Sequence, residues 1–213
     1  MTKRFDSFFE TIAGNEGDFS NDPLDKGGRT IRGISENNHP ADFNTAYYLW
    51  STNKPSLFYT FIKNFYYRNY YNPLYDKIGD ESLAYKLFDF GINAGISTAV
   101  KRLQKVINDH YAGGDKDVII SDGEHDWHRV ISHISVDGAF GNKTLEAVNM
   151  AWNYDINCSR FSEINGETKL YNYYVLYLDT YYKSLSSFWK FGKGWLRRLR
   201  MLFNNGKLTE GKY

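Results

Sequence analysis

The chain has 213 residues, enough for one domain, or for a large and a small one, with a substantial apolar core. Its 26 Lys and Arg residues nearly balance its 25 Asp and Glu residues, so charge gives no basis for nucleic-acid binding. The single cysteine, Cys158, excludes an internal disulfide framework and a thiolate metal site.

No apolar run approaches the roughly 20 residues that span a bilayer, and the N-terminus lacks the apolar segment of a signal peptide. We therefore expect a protein made in the cytoplasm without a signal peptide and without stable membrane insertion. The aromatic content of 18% is unusual, and rings with polar edges suit stacking on sugars. A tyrosine-rich core and surface is the alternative explanation.

The first segment, residues 3–14, has the apolar spacing of an amphipathic helix. Glu16 lies eleven residues after Phe5, almost three whole turns, so its carboxylate is expected on the apolar face. Burial against aromatic rings would raise the pKa of this carboxyl group and keep it protonated, as a general acid requires near neutral pH. The alternative is an exposed glutamate at the end of the helix.

After Glu16 the composition changes to Gly, Asn, Asp and Pro, which predicts a tight polar loop carrying further oxygen ligands: Asp18, Asp22, Asp25 and, beyond two glycines, Thr30. Asp25 is the preferred partner of Glu16 because it precedes Gly27-Gly28, whose freedom at positive φ lets the chain turn back. Asp22 precedes Pro23 and is expected to form a turn. Asx-turns or a calcium loop are the alternative interpretation of these aspartates.

Residues 16–34 read Glu-Gly-Asp-Phe-Ser-Asn-Asp-Pro-Leu-Asp-Lys-Gly-Gly-Arg-Thr-Ile-Arg-Gly-Ile, which resembles the signature of the N-acetylmuramidases of glycoside hydrolase family 108. Two positions depart from it: Asp18-Phe19 stands where the family usually has Gly-Tyr, and Arg32 where tyrosine is common. The order Glu16, Asp25, Thr30 is also similar to the Glu, Asp, Thr order of phage lysozymes. The resemblance implies that these three residues are catalytic, with Asp22 within reach of the substrate.

Two helices are expected next, over 41–50 and from Pro55 onward, the second with an apolar face of Leu57, Phe58, Phe61, Ile62 and Phe65. The aromatic, basic stretch 66–73 could stack on single-stranded nucleic acid, which the neutral charge of the chain disfavours. In the resembled family a comparable tyrosine-rich helix end borders the cleft, which makes Tyr71 a candidate sugar contact.

Residues 81–95 have the spacing of a buried helix, on which Asp89 and Asn93 share a face among apolar neighbours. The block Phe-Asp-Phe-x-x-Asn-Ala-Gly is a second resemblance to the family. This polar pair either braces the catalytic loop or binds substrate. A further amphipathic helix follows, and its Leu103-Gln104 opens a segment similar to the family's C-terminal predicted peptidoglycan-binding region.

Residues 111–134 interrupt the helical pattern and predict an inserted loop or hairpin, with Val118–Ile120 and Val130–Val136 as short strands. The insertion contains Glu124, His125, Asp126 and His128, which could bind a metal but lack the spacing of a recognised site. A solvated loop is the favoured interpretation. The following Asp137-Gly138-x-x-Gly141-x-x-Thr144 resembles the turn of small peptidoglycan-binding modules, with Asn142 as N-cap of the next helix.

A long helix is expected over 167–189, a basic amphipathic helix over 192–203 and a polar tail over 204–213. The basic helix could bind a membrane surface. The alternative is a solvated face packed beside the cleft, which the Gly194-Trp195-x-x-Arg198 pattern favours because a similar pattern recurs in the family.

We therefore predict a predominantly α, lysozyme-like α+β fold: a helical bundle with a catalytic loop or small hairpin after the first helix. Residues 1–95 form the catalytic region and 96–213 the peptidoglycan-binding region. The resemblance implies hydrolysis of the β-1,4 bond between N-acetylmuramic acid and N-acetylglucosamine, without a cofactor or metal. The expected protein is a monomer that reaches the cell wall by holin-like release, similar to endolysins and secretion activators.

Two other functions compete with this prediction. One is a non-catalytic wall-binding or secretion-accessory protein that keeps the fold without turnover, and retention of Glu16 argues against it. The other is a metal-dependent hydrolase using the 122–128 cluster, which sensitivity to a chelator would distinguish.

Overall fold

A computed structural model of the protein describes residues 1–13, 19–21, 28–113, 117–121, 126–157, 168–204 and 207–210. These residues form mainly α-helices with three small antiparallel sheets, which confirms the predicted predominantly α, lysozyme-like class. The chain divides into two compact units, Met1–Tyr71 and Asn72–Tyr213. The described part contains no helix long and apolar enough to cross a membrane.

In the first unit the described residues form three helices and one three-stranded sheet: α1 (Lys3–Ala13), β1 (Phe19–Ser20), β2 (Thr30–Ile31), β3 (Ile34–Ser35), α2 (Pro40–Ser51) and α3 (Pro55–Tyr70). The strand order is β1-β2-β3, with Phe19 opposite Ile31 and Ile31 opposite Ile34. A small antiparallel sheet therefore follows the first helix, as predicted.

Helix α1 buries one complete apolar stripe, formed by Phe5, Phe8, Phe9 and Ile12. Phe5 meets Tyr71 edge to face at a centroid distance of 5.0 Å, and Phe9 lies 5.7 Å from Tyr66. Edge-to-face pairs add about 0.5–1.5 kcal/mol each to the gain from burial. Aromatic rings of α1 and α3 thus form a large part of the core of this unit, which Ile31, Ile34 and Phe43 complete.

The buried face of α3 differs from the prediction at its N-terminal end. Pro55 occupies the expected first position, and Ile62 and Phe65 are buried as predicted, but Leu57 is 59% exposed. The buried line continues instead to Tyr66, one residue beyond Phe65. At the N-terminal end of α3 the residue that contacts α1 is Tyr59, which meets Phe9, so Leu57 in the preceding turn stays on the exposed side.

The second unit starts with a 3₁₀ helix, Pro73–Lys77, and its described residues form five α-helices and two hairpins: α4 (Glu81–Ala94), α5 (Ile96–His110), β4 (Asp117–Ser121), β5 (Asp126–Val130), α6 (Asn142–Asn157), α7 (Lys169–Ser184), α8 (Phe188–Arg200), β6 (Met201–Asn204) and β7 (Lys207–Glu210). Helix α4 is its centre and packs against α5, α7 and β6. Every residue from Ser82 to Gly91 is buried, as the sequence pattern of a buried helix predicts.

Three polar residues of α4 lie on one face at i, i+4 and i+7: Ser82, Lys86 and Asp89. They hold the end of α8 and strand β6. The buried Lys86 ammonium donates to the carbonyl oxygens of Arg198, Leu199 and Met201 at 2.7–3.1 Å. Ser82 Oγ donates to the carbonyl of Phe203 at 2.6 Å. A positive charge at a helix C-terminus satisfies carbonyls that lack partners within the helix. Lys86 therefore fixes where α8 ends.

Gln104 connects α5 to the Asp-Gly turn before α6. Its side-chain nitrogen donates to Asp137 Oδ1 at 2.8 Å and to Thr144 Oγ1 at 3.2 Å, and its oxygen accepts from the Gly138 amide at 2.9 Å. Gly138 has φ +80°, and a Cβ there would lie 2.9 Å from the Ser97 carbonyl oxygen. Leu103-Gln104 and the Asp-Gly-x-x-Gly-x-x-Thr turn, 33 residues apart at their contact, are thus parts of one packed feature.

The predicted insertion contains a hairpin, β4 paired with β5, and Val118–Ile120 is a strand as predicted. The second predicted strand, Val130–Val136, is wrong because the strand ends at Val130. The segment after it is held by the Asn108 side chain instead, which donates to the Ile134 carbonyl at 2.8 Å and accepts from the Ile134 amide at 2.9 Å. An asparagine on α5 thus occupies the hydrogen-bonding groups that a neighbouring strand would use.

The C-terminal elements also differ from the prediction. The expected helix 167–189 ends at Ser184, and the basic helix begins earlier than predicted, at Phe188, and ends at Arg200. Leu185 is extended, and the serines around it have low helix propensity. Part of the expected polar tail forms the hairpin of β6 and β7, in which Phe203 is buried and opposes Leu208.

Candidate active site

The predicted acid, Glu16, and its candidate partners Asp22 and Asp25 lie outside the described residues. The structure describes the chain on both sides of them: α1 ends at Ala13, β1 occupies Phe19–Ser20, and the chain continues from Gly28. Gly28 has φ +72°, the left-handed conformation for which the Gly27-Gly28 pair was expected. The assignment of Asp25 as the residue that assists Glu16 in catalysis stays a prediction.

Thr30 lies in the central strand of the small sheet, directly opposite Ser20 on one side and Ser35 on the other. Directly paired residues of antiparallel strands project from the same face, so three hydroxyl groups form a row across the sheet. The opposite face carries Ile31 and Ile34, which are fully buried. The hydroxyl row is a polar, accessible surface beside the predicted catalytic loop. Sequence inspection identified only Thr30, because the register of two-residue strands is not readable from the pattern.

Arg32 ties the turn between β2 and β3 to the two helices of the core. Its Nη1 donates to the carbonyl oxygen of Ala13 at 2.8 Å, and its own carbonyl accepts from the Tyr66 hydroxyl at 3.0 Å. The residue has φ +45°, which is costly for a side chain other than glycine and persists only where surrounding contacts hold it. A guanidinium at the last described turn of α1 stabilises the carbonyl end of that helix. Arg32 thus holds the described end of α1 against the turn between β2 and β3.

A groove passes over Arg32 on the surface of this unit. Two cavities, of about 440 and 250 Å³, share Arg32, Pro55 and Phe58 as lining residues. The first extends to Ala13 and Tyr59, and the second extends to Trp50 and Lys54. The groove therefore combines aromatic walls with two cationic side chains, and it begins at the end of α1.

At the far end of the groove from α2, Tyr59 donates a hydrogen bond to the Glu10 carboxylate. Burial, together with this bond and the charge of Glu10, raises the pKa of the Tyr59 hydroxyl to about 12. The hydroxyl therefore stays protonated at neutral pH and is a hydrogen-bond donor at the groove wall.

A cluster of aromatic rings joins the edge strand β1 of the small sheet to α2. Phe19 stacks on Trp50 at a centroid distance of 5.4 Å, and both rings remain more than one third exposed. The Arg29 guanidinium lies 5.4 Å from the Tyr47 ring and donates two hydrogen bonds to Glu36, at 2.6 and 2.8 Å. These bonds hold the pKa of the Glu36 carboxyl below its usual value. The exposed, stacked rings of Phe19, three residues after Glu16, and Trp50 suit contact with a saccharide.

Comparison with protein families identifies what the N-terminal part of the chain resembles. Residues 9–95 match the family described as glycosyl hydrolase 108. The matched range contains every candidate site residue: Glu16, Asp22, Asp25, Thr30, Tyr71, Asp89 and Asn93. This confirms the predicted family resemblance and supports the enzyme class, a glycoside hydrolase.

Comparison of whole chains supports the fold. The protein is similar to a solved structure described as the structure of Brucella abortus SagA, with 23% sequence identity and a TM-score of 0.56. The similarity covers 92% of this chain and 88% of that one. No curated protein matches the sequence.

Asp89, in the second block resembling glycosyl hydrolase 108, is an ion-paired residue of the second unit. Its carboxylate is buried and accepts a hydrogen bond from Arg198 Nε at 2.8 Å. Asn93 donates to the backbone carbonyl of Asp89 at 2.8 Å. Arg198 belongs to the Gly-Trp-x-x-Arg pattern, so two patterns 109 residues apart meet in one ion pair. Asp89 thus braces α8 on α4, whereas the Asn93 side chain bonds within α4 itself. Contact of Asp89 or Asn93 with substrate stays a prediction.

Tyr71 ends α3 and is only 7% exposed. Its ring stacks on Tyr67 at 5.7 Å and lies edge-on to Phe5. The ring thus belongs to the core of the first unit, and the sugar contact that the glycosyl hydrolase 108 resemblance implies for it stays a prediction.

The candidate metal cluster is not described by the structure: Glu124 and His125 lie outside the described residues, as do the side chains of Asp126 and His128. Elsewhere in the described part of the chain, no group of three or more His, Cys, Asp or Glu side chains is arranged to hold a metal ion.

Proposed function

We propose that this protein hydrolyses the β-1,4 bond between N-acetylmuramic acid and N-acetylglucosamine in peptidoglycan. The observation that carries the proposal is the match of residues 9–95 to glycosyl hydrolase 108, a range that includes Glu16 and its loop. The described flanks of that loop support it with a hydroxyl row, exposed aromatic rings and a groove, three features that suit a carbohydrate polymer.

In the proposed reaction Glu16 protonates the glycosidic oxygen as the bond to the anomeric carbon breaks. Asp25 orients the attacking water or stabilises the oxocarbenium-like centre, with help from the Thr30 hydroxyl. An inverting enzyme needs about 6.5–9.5 Å between its two carboxyl groups to admit the water, whereas a retaining enzyme needs about 5–5.5 Å. We propose the longer separation for Glu16 and Asp25, and therefore inversion.

The groove over Arg32 is the proposed path of the glycan next to the reacting bond. Muramic acid carries a carboxyl group, free or linked to a peptide with carboxyl groups of its own, so the substrate is anionic. Arg32 and Lys54 provide positive charge along the groove, while Trp50 and Phe58 provide ring faces for the sugars. The protein acts as a monomer on the cell wall after holin-like release, with no cofactor or metal.

The test is loss of turbidity of purified cell walls, measured for the wild type, Glu16→Gln and the control Glu210→Gln. The amide has the shape of the acid but cannot deliver a proton, and general acid catalysis is typically worth about 10²–10⁴-fold. Glu210 is exposed on β7, so its variant should keep full activity. Retention of more than about one tenth of the activity by Glu16→Gln would exclude Glu16 as the acid.

The partner of Glu16 is tested by comparing Asp25→Asn with Asp22→Asn in the same assay. We expect the first to lower turnover more than the second, with both proteins folded by circular dichroism. An equal or larger loss for Asp22→Asn would assign the role to that residue instead.

A further inference from the structure

Helix α8 carries five basic residues and no acidic one. Arg198 pairs with Asp89, whereas the other four are exposed: Lys190, Lys193, Arg197 and Arg200. Within the described parts of the chain, none of these four has a carboxylate partner. The exposed side of α8 is therefore a concentrated positive surface on a chain whose formal net charge is only +1.

An exposed tryptophan continues this positive surface toward the start of the helix. Trp189, Lys193, Leu196 and Arg200 recur at i, i+4, i+7 and i+11, which is a single line along one face. Lys190 and Arg197 lie beside that line. Trp189 is 84% exposed, the largest exposed fraction among the described large apolar side chains. An indole held in water at the edge of a cationic face has no role in packing this protein.

An apolar groove of about 380 Å³ runs along the same line, between α7 and α8. Its walls are Val175, Leu176, Leu196 and Leu199, and Arg200 stands at its edge. Leu176 is 55% exposed. The acidic residue at the groove, Asp179, is paired with Lys183 at 2.6 Å, so its charge does not oppose an anion nearby.

Cations, an exposed indole and an open apolar groove on one face match the layered chemistry of a phospholipid surface. Headgroup phosphates attract Lys and Arg, indoles prefer the interface, and the acyl region accepts apolar side chains. A soluble polyanion would use the cations but neither the groove nor Trp189. We propose that the face of α8 formed by Trp189, Lys190, Lys193, Arg197 and Arg200, with its adjoining groove, docks on anionic phospholipid membranes. This docking is independent of the hydrolase activity.

The first test is co-sedimentation of the full-length protein with vesicles of phosphatidylcholine, with and without phosphatidylglycerol. Each cation near an anionic leaflet changes partitioning about fivefold, so Lys193→Gln with Arg197→Gln should weaken binding about 25-fold. The matched control, Lys105→Gln with Lys207→Gln, removes the same charge from exposed positions on α5 and β7 and should leave binding within about twofold. Equal losses in both pairs, or no binding to anionic vesicles, would overturn the proposal.

The second test identifies the occupant through Trp189. The summed emission of the five tryptophans should shift to shorter wavelength with anionic vesicles, and the comparison with Trp189→Phe, which should lose the shift, assigns it to Trp189. Trp189→Ser should weaken vesicle binding. The exposure of Trp189 makes unfolding of these variants unexpected, which circular dichroism checks. Poly-glutamate is the competing probe. If it binds as tightly through the same cations, without dependence on Trp189, the face recognises anionic polymers and the lipid proposal is wrong.

Discussion

The two units of this protein are stabilised by different kinds of core. Among the described residues, the buried polar and charged ones all lie in Asn72–Tyr213: Asp80, Ser82, Lys86, Asp89, Gln104 and Thr144. The buried side chains described in Met1–Tyr71 are apolar or aromatic, and the rings of α1 pack on those of α3. Apolar packing is non-directional, whereas each buried polar group requires a particular partner.

This difference changes how a buried polar residue should be interpreted in this chain. In the first unit the polar groups suited to a substrate are accessible, on the sheet face and along the groove over Arg32. In the second unit Lys86 and Asp89 are buried and hold α8 and β6 in one position on α4. The buried polar residues Lys86 and Asp89 of α4 therefore stabilise the packing of helices. The polar residues proposed to contact substrate lie at the surface of the first unit.

The largest expected effect on stability comes from breaking the buried ion pair. Arg198→Ala removes the cation that neutralises the buried Asp89 carboxylate, and loss of one partner of a buried pair costs about 3–5 kcal/mol. The free energy of unfolding from denaturant titration measures this cost. If Asp89→Asn combined with Arg198→Ala is as unstable as Arg198→Ala alone, the unpaired charge is not the cause.

Two substitutions that conserve side-chain size, one in each core, compare how much the two cores lose in free energy of unfolding. Lys86→Met leaves three carbonyls at the end of α8 without their donor and should cost about 2–3 kcal/mol. Ile12→Leu, in the apolar core of the first unit, should cost less than about 1.5 kcal/mol. Equal costs in denaturant titrations would remove the distinction between directional and non-directional cores.

A smaller effect, dependent on pH, is expected at Asp155 on α6. Burial raises the pKa of its carboxyl group, although the Leu170 amide and the Tyr111 hydroxyl donate hydrogen bonds to it. Because the folded pKa is above the unfolded value, the folded state binds the extra proton as pH falls between the two. The wild type should therefore gain stability relative to Asp155→Asn as pH falls from 7 through the raised pKa. A difference in Tm that does not vary with pH would contradict this.

Helices with a clear apolar stripe were predictable from sequence, since α1 and α4 begin and end within a residue or two of the expected positions. The break between α7 and α8 was predicted too late in the chain, because aromatic residues continue through Trp189 and hide the serines at 184–187. The final hairpin had a local signal, the Asn205-Gly206 dipeptide between β6 and β7.

The candidate catalytic residues could be proposed from the sequence because they lie within one short stretch, Glu16 to Thr30, and their roles stay predictions. The contacts that bring distant segments together could not be, since no local pattern pairs Arg198 with Asp89 or Arg32 with Ala13. The hydroxyl row depends on strand register, and the groove depends on how α1 and α3 pack. These are tertiary properties, which periodicity and spacing do not encode.

The proposed hydrolysis of the bond between N-acetylmuramic acid and N-acetylglucosamine is tested most directly by identifying the sugar at each new end of the cleaved glycan. Purified peptidoglycan is digested by the protein in isotopically labelled water, the new ends are reduced, and the fragments are identified by mass spectrometry. We expect N-acetylmuramic acid at every new reducing end, with one labelled oxygen from the attacking water, and no products from Glu16→Gln. New ends of N-acetylglucosamine, an anhydro sugar without label, or cleavage confined to the peptides would contradict it.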